Sequence, residues 1–259
     1  GLADPRYPMR RSGFRMHLAV SDAARRSLLQ VGAPPEDVVV VHDAVDLEEF
    51  RPEAPPPSLR AELGIAEDAM LVGHFGRIVP WKGTREFVDA FAVAARADPS
   101  LHALVVGDRS DGPEEYEEEV HRAARESGLG ERLTFAGFRP DVPALMRACD
   151  IVVHTSTEPE PFGMVIVEAM ASGKPVIAAP AGGPLEIVRP GVDGLLADPT
   201  DAAALASAIQ RLAADPAARA AMGRAAIERV AEAFSKERYA HDVAGVYERV
   251  TGVALRAKA

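Results

Sequence analysis

Two carboxylates, Glu160 and Glu168, lie eight residues apart, with Pro161, Phe162, Gly163, Met164 and an apolar run between them. Gly163 reads as the entry to a helix that ends near Gly173. A helix start leaves backbone N–H groups unpaired and carries partial positive charge. A glycine there lets an anion, typically a phosphate, come close to the backbone. Eight residues is slightly more than two helical turns. Glu168 can therefore share the broad face of the helix mouth, about two turns deep, with Glu160 just outside it. One carboxylate near each end of a phosphate-bearing ligand suits the hydroxyls of two sugars. The competing reading is an amphipathic helix with a solvated glutamate, since Glu is mostly exposed.

Two more segments carry cations or close-approach glycines. Gly76-Arg77-Ile-Val-Pro-Trp-Lys82-Gly83 follows an apolar stretch. Such a loop can set a forked guanidinium and a point ammonium against a diphosphate, although two surface cations are the commoner explanation. Gly137-Phe138-Arg139 follows another apolar stretch, where backbone groups can meet a base and Arg139 a phosphate or base, or where the chain simply turns. Ala181-Gly-Gly-Pro-Leu-Glu186 opens a further helix, with Glu186 read as a first-turn charge. No phosphate-binding Gly-x-x-x-x-Gly-Lys-Ser/Thr loop and no Gly-x-Gly-x-x-Gly after a strand occurs. No His-Glu-x-x-His or cysteine cluster occurs, and Asp108 and Asp111 are not the alternating pair that clamps a metal diphosphate, so no metal site is expected. Arg77 and Lys82 could neutralise a leaving diphosphate in its place. His17, His42, His74 and His154 sit at strands or strand ends and read as structural.

These loops need a scaffold that brings them to one edge. From Ala69 onward short apolar strands alternate with helical stretches. The expected strands are 70–75, 103–106, 133–135, 151–154, 176–178 and 194–196. The expected helices are 83–97, 114–127, 141–148, 163–172, 184–188, 201–214, 216–231 and 235–253. Strands this short and apolar are buried on both faces, so the fold class is α/β, a doubly wound parallel sheet of Rossmann-like type. Ligands in such folds bind at the carboxyl ends of the strands, where the motifs fall. Upstream, Met16–Val20, a helix to about Val31 and Val38–Val41 form a βαβ piece too small to stand alone. The expected division is 1–50 for that piece, 51–65 for a Pro-rich linker with a short helix near 58–63, 66–233 for the ligand-binding domain, and 234–259 for a C-terminal crossover helix that reads as packing rather than partner-binding. That helix carries Phe234, Tyr239, Val243, Val246, Tyr247 and Val250 at helical spacing.

Composition narrows the partners. A net charge of −10 argues against a general nucleic-acid surface. One cysteine, Cys149, forbids an intrachain disulfide and reads as a small buried residue in a reducing compartment. No run of 18 apolar residues is present, and no signal peptide is visible. Arg6, Arg10, Arg11 and Arg15 form a basic lead-in, solvated or a weak docking edge. The chain begins with Gly1, as a fragment or a processed product would.

Taken together, these segments resemble the family 4 (group 1) retaining glycosyltransferases of the GT-B fold. The likeness rests on Glu160-Pro-Phe-Gly-Met-Val-Ile-Val-Glu168-Ala-Met-Ala-Ser-Gly-Lys-Pro-Val176, on Ala181-Gly-Gly-Pro-Leu-Glu-Ile-Val188 and on Gly191-x-x-Gly-Leu-Leu196. Gly76-Arg77 with Lys82-Gly83, and Val45-Asp46 with Phe50-Arg-Pro52, agree in order and spacing. The resemblance implies the C-terminal, donor-binding half of a two-domain enzyme plus a remnant of the N-terminal acceptor domain. It implies that Arg77 and Lys82 hold a donor diphosphate, Glu160 the donor sugar and Glu168 the ribose, with the backbone at Gly163 and Met164 on sugar or phosphate. Phe162 belongs to the same strip, and Gly76, Gly137, Phe138 and Arg139 complete the expected donor site. Glu160, Arg77 and Lys82 are expected at the reaction centre. Transfer is expected to retain anomeric configuration by front-side attack, without a metal or other cofactor.

The donor is expected to be a nucleotide sugar, UDP first, GDP or ADP otherwise. The acceptor is a sugar, a lipid-linked sugar or a small molecule, and the setting a bacterial cytoplasm with peripheral contact to the inner membrane face. Departures are Asp43-Ala44 where the family has Asn-Gly, and His154-Thr155 where it has Pro-Ser. Two rivals stand beside this reading. A nucleotide-sugar-binding module without catalysis would not turn over donor with added acceptor. A sugar-nucleotide epimerase would consume donor without acceptor.

Overall fold

The computed structural model describes residues 16–253; the basic lead-in at Arg6, Arg10, Arg11 and Arg15 lies outside them. The chain opens with strand β1 (His17–Ala19), helix α1 (Asp22–Gln30) and strand β2 (Val38–Val40). β1 and β2 pair in parallel, His17 opposite Val38, around a small core of Ala19, Ala33 and Val38. Ser21 caps α1 by accepting from the Ala24 N–H. A short helix α2 (Leu59–Glu62) follows. Within the stretch read as linker, Leu59 and Ile65 are buried. Arg60 donates to the Ala69 and Ala148 carbonyls at 2.7 and 3.0 Å, so this end of the segment is docked on the larger domain.

The larger domain runs β3 (Met70–Phe75), α3 (Thr84–Ala97), β4 (Leu101–Val106), α4 (Glu114–Glu126), β5 (Leu133–Gly137), α5 (Val142–Ala148), β6 (Ile151–His154), α6 (Met164–Ala171), β7 (Val176–Ala178), α7 (Pro184–Ile187) and β8 (Gly194–Leu196). Helices α8 (Ala202–Ala214), α9 (Pro216–Ala233) and α10 (Lys236–Thr251) close the chain. The sheet order is β5-β4-β3-β6-β7-β8, with every pairing parallel.

Successive strand residues serve opposite faces. Leu71, Leu104, Val106 and Val152 belong to one core with Ile166, Met170 and Val230. Val72, Val105, Ile151 and Val153 belong to the other with Phe87, Phe91 and Ile209. Both faces are covered by helices, and this is why the strands read as unbroken apolar runs.

The chain builds outward from β3 through β4 to β5, then returns to place β6 on the other side of β3. The connections after β3 and β6 therefore diverge to opposite sides and leave a crevice beyond their carboxyl ends.

α10 forms over most of the expected 235–253 and is loosely packed. It has no buried residue, and Tyr239 and Tyr247 are exposed. Phe234 ends the preceding helix and is buried among the main core. The small unit is joined to the main body through a Val45–Ser235 bridge and through side chains described below.

Candidate active site

The residues at the crevice come from the ends of β3, β4, β5 and β6 and the segments that follow them, with the loop after β7 bracing one of them. The turn after β3, Pro80–Lys82, ends in Gly83 with φ 67°, a left-handed conformation that side-chain-bearing residues rarely adopt. A Cβ at Gly83 would lie 2.0 Å from the Thr155 carbonyl oxygen. This close approach lays the Lys82 turn directly against the end of β6.

Lys82 reaches across the crevice to Glu160, Nζ to Oε2 2.6 Å. The same oxygen accepts from Ser156 Oγ at 2.8 Å and faces His154 Nε2 at 3.2 Å. Glu160 is buried, and burial alone would raise its pKa. The hydrogen bond to His154 and the Lys82 charge outweigh burial and bring it down to about 2. The backbone of Glu160 is strapped to the glycine loop after β7, since the Gly183 N–H donates to the Glu160 carbonyl at 2.8 Å. Thr155 donates to the Gly83 carbonyl at 2.8 Å and lies within hydrogen-bond reach of the Lys82 carbonyl at 3.0 Å. His74, on β3, faces Thr84 Oγ1 at 3.2 Å, and burial drives its pKa down to about 3.

Beside this charged group lies a cavity of about 260 Å³ at the carboxyl ends of β3, β4 and β5. Of the residues singled out from sequence, Gly76, Arg77, Phe138, Arg139 and Glu168 line it. Apolar walls come from Phe75, Val106, Val142, Met146 and Val165. Phe138 is 74% exposed at the rim. Gly76 joins the two regions: a Cβ built there would meet the Lys82 stem at 4.0 Å. Arg77 is exposed and, among the described residues, forms no ion pair. Glu168 is half-buried, and desolvation, with the Glu49 charge nearby, raises its pKa to about 7.

Other expected site residues land elsewhere. Gly163 is the residue before α6, at φ 116°, and opens the helix as its sequence suggested. Gly163 lies against Glu160, since a Cβ built there would be 3.7 Å from Glu160 Cγ, while Met164, the first residue of α6, packs against the main core. Phe162 is buried, stacked on His42 at 5.9 Å and edge-on to Phe234 at 5.6 Å. It anchors the loop. Gly137 closes β5 and its carbonyl accepts from the Gly107 N–H at 2.8 Å. Arg139 reaches the cavity wall with its guanidinium already engaged. Nε and Nη2 donate to Asp141 at 2.7 and 2.6 Å, and Nη1 to Glu62 at 3.3 Å. These bonds raise its pKa above the ordinary arginine range.

Some contacts were not visible in the sequence. His154 and Ser156 converge on Glu160; the only local signal was that they lie at and just past the end of an apolar strand, six and four residues before Glu160. Asp108 and Ser110 line the cavity from the loop after β4. Glu186 is more than a first-turn charge. Its carboxylate accepts from the Asp22 and Ala23 N–H groups at 2.8 and 3.0 Å and faces His42 Nε2 at 3.3 Å. It thus caps α1 from another domain, while Ser21 Oγ donates to the Pro161 carbonyl at 2.5 Å. Cys149 is buried as expected, and burial pushes its thiol up to about 12. Among the described residues, no group of three or more His, Cys, Asp or Glu side chains is placed to hold a metal ion. No helix among them is long and apolar enough to cross a membrane.

Comparison with known proteins adds to this geometry. The sequence profile of the glycosyl transferases group 1 matches residues 57–229. The 2-deoxystreptamine glucosyltransferase of Streptomyces kanamyceticus is 37% identical over 229 residues, covering 86% of this chain and 57% of that enzyme. The D-inositol 3-phosphate glycosyltransferase of Mycobacterium tuberculosis is 36% identical over 243 residues, covering 92% of this chain and 49% of that enzyme. The chain spans about half the length of these curated relatives. The crystal structure of Anabaena HepE with UDP and glucose superposes with a TM-score of 0.83 at 37% identity, over 92% of this chain and 63% of that one. The same protein has been solved with UDP-glucose.

Proposed function

The chain belongs to the glycosyl transferases group 1, and from that premise we propose that it supplies the donor site of a retaining sugar transfer. Its parallel α/β sheet is the Rossmann-like fold of the GT-B enzymes. The donor is a nucleotide sugar, with UDP as the nucleotide. The carrying observation is that Gly76 both lines the apolar cavity and lies beside the stem of Lys82, the cation of the buried pair. A base and ribose suit the first; a diphosphate and a polar sugar suit the second. HepE, which resembles the chain over nearly its whole length, has been solved with UDP and with UDP-glucose.

In this reading the base lies between the rim Phe138 and the backbone that ends at Gly137. Glu168 accepts the ribose hydroxyls. Arg77, exposed at the cavity mouth, pairs with the diphosphate, and Lys82 lies between diphosphate and sugar. Glu160 meets the sugar, near the backbone of Gly163 and Met164. Arg139 serves as a cavity wall held by Asp141. The glycosidic carbon–oxygen bond to the diphosphate breaks as a bond to an acceptor hydroxyl forms on the same face. The acceptor proton passes to the departing diphosphate oxygen, whose developing charge Arg77 and Lys82 stabilise. The acceptor is a sugar, a lipid-linked sugar or a small molecule.

Calorimetric titration with UDP, GDP, ADP and UDP-glucose tests this reading. UDP and UDP-glucose are expected to bind, GDP and ADP at least tenfold more weakly, and Arg77→Ala to weaken both uridine ligands. Binding of none of them, or no difference between the three bases, sinks it.

A further inference from the structure

The end of β6 does more than close a strand. We propose that His154 is a positioning residue which, with Ser156, holds the Glu160 carboxylate by Oε2 alone and leaves Oε1 to receive a hydroxyl of the donor sugar. The proposal rests on the donor-site reading above and adds a role for residues outside the expected site.

Three contacts fall on one oxygen. Lys82 Nζ, Ser156 Oγ and His154 Nε2 approach Glu160 Oε2 at 2.6, 2.8 and 3.2 Å. A carboxylate oxygen can only accept, so the Ser156 hydroxyl proton points at it. The Ser156 oxygen is then free to accept, and His154 Nε2 lies 3.0 Å from it. Both neighbours of Nε2 are thus acceptors, which requires the imidazole proton on Nε2. Nδ1 becomes the bare nitrogen, and in the structure it is buried without a hydrogen-bond partner. The opposite tautomer would set a nitrogen lone pair against a carboxylate oxygen and bury an unpaired N–H as well.

The residue between them works on the other half of the ion pair. Thr155 reaches the Lys82 and Gly83 carbonyls at 3.0 and 2.8 Å. His154 and Ser156, two positions apart, act on one side of the crevice and Thr155 on the other, as alternation along extended chain allows. Three consecutive side chains, the last of β6 and the two that follow it, thereby fix both partners of the Lys82–Glu160 pair. With one oxygen saturated, the rotation of the carboxylate is set before any ligand arrives, which favours recognition through the other oxygen.

The test has two arms. In protein labelled with nitrogen-15 histidine, long-range proton–nitrogen correlation near pH 7.5 should show His154 protonated on Nε2. A His154 protonated on Nδ1 overturns the proposal. In the second arm, UDP and UDP-glucose are titrated into the parent protein and into His154→Leu, His154→Gln and Ser156→Ala. The parent should prefer UDP-glucose over UDP. His154→Leu should reduce that preference about tenfold, or ~1.4 kcal/mol, while UDP affinity stays within about twofold. His154→Gln, whose amide can still donate, should restore most of the preference, and Ser156→Ala should fall between. Equal weakening of both ligands in His154→Leu, or a parent that binds them equally, overturns the positioning role. Binding of neither ligand by the parent overturns the donor-site reading itself, and is distinguishable because the tautomer measurement needs no ligand.

Discussion

Glu160 and Glu168 belong to one short segment, yet they sit in opposite surroundings. Glu160 meets a lysine, a serine and a histidine at the end of β6, and its carboxyl is held down at about 2. Glu168 lies just over one turn into α6, where it borders a cavity walled by Phe75, Met146 and Val165. Nothing there compensates for its burial, and its carboxyl is raised to about 7. One is a fixed charge locked to a partner, the other a proton-sensitive group facing open space. Paired groups whose environments push their pKa values apart serve different roles. The charged region is finished before a ligand arrives; the cavity is completed by one.

The largest effect should come from breaking the finished region. Lys82→Met leaves Glu160 buried with only neutral donors. Removing one partner of a buried pair typically destabilises by about 3 kcal/mol. Urea denaturation at pH 7.5 should show a loss of that order. A loss below about 0.5 kcal/mol, the usual range for surface substitutions, would mean that the two regions do not differ in closure.

The next effect belongs to the cavity and has the opposite sign for stability. Glu168→Gln keeps the shape and removes the titrating group. It should weaken UDP binding about tenfold, ~1.4 kcal/mol, by replacing an anionic acceptor with a neutral amide. Its stability should exceed that of the parent at pH 8, and by much less at pH 5. The sign follows from linkage: the folded state holds a proton on Glu168 that the unfolded chain releases in the ordinary carboxylate range, so stability falls as pH rises toward and through about 7. For Glu160 the order is reversed. Its folded pKa is depressed, so its contribution is present above the ordinary carboxylate range and is lost only as pH falls toward about 2. Thermal midpoints of parent and variant at the two pH values check the sign for Glu168.

The two regions also differ in how far the sequence exposes them. Strands 70–75, 151–154, 176–178 and 194–196 could be read to the residue, because a strand covered on both faces must be apolar throughout. The cavity lining was largely legible too, since Gly76, Arg77 and Phe138 follow the apolar runs of β3 and β5, and Glu168 sits in the helix that Gly163 opens. The charged region was legible only as separate residues. Lys82 and Glu160 are 78 positions apart, and their pairing depends on β6 returning beside β3. No local pattern marks His154 or Ser156 as partners of Glu160. Arg139 showed the same limit: its guanidinium is held by Asp141, two residues on, and by Glu62 from a distant helix. Glu186 caps α1 from 163 positions away, which no periodicity reports.

The smallest effect is the sharpest test of the comparison, because it needs no substitution. UDP-glucose is a useful probe, since neither of its bridging phosphates takes up a proton near neutrality. The ionised Glu168 carboxylate offers one acceptor oxygen to each of two ribose hydroxyls, whereas the protonated acid turns one of those oxygens into a donor and binds them more weakly. Apparent affinity then scales with the ionised fraction. With the carboxyl at about 7, nearly all of the protein is competent at pH 8 and about half at pH 7, so the dissociation constant should rise about twofold between them. By pH 6 the total rise should approach tenfold. Glu168→Gln should flatten this profile while leaving the overall affinity low. Glu160 remains ionised throughout the range and contributes nothing to the slope. An unchanged slope in Glu168→Gln would move the proton-sensitive group out of the cavity and dissolve the contrast between the two glutamates.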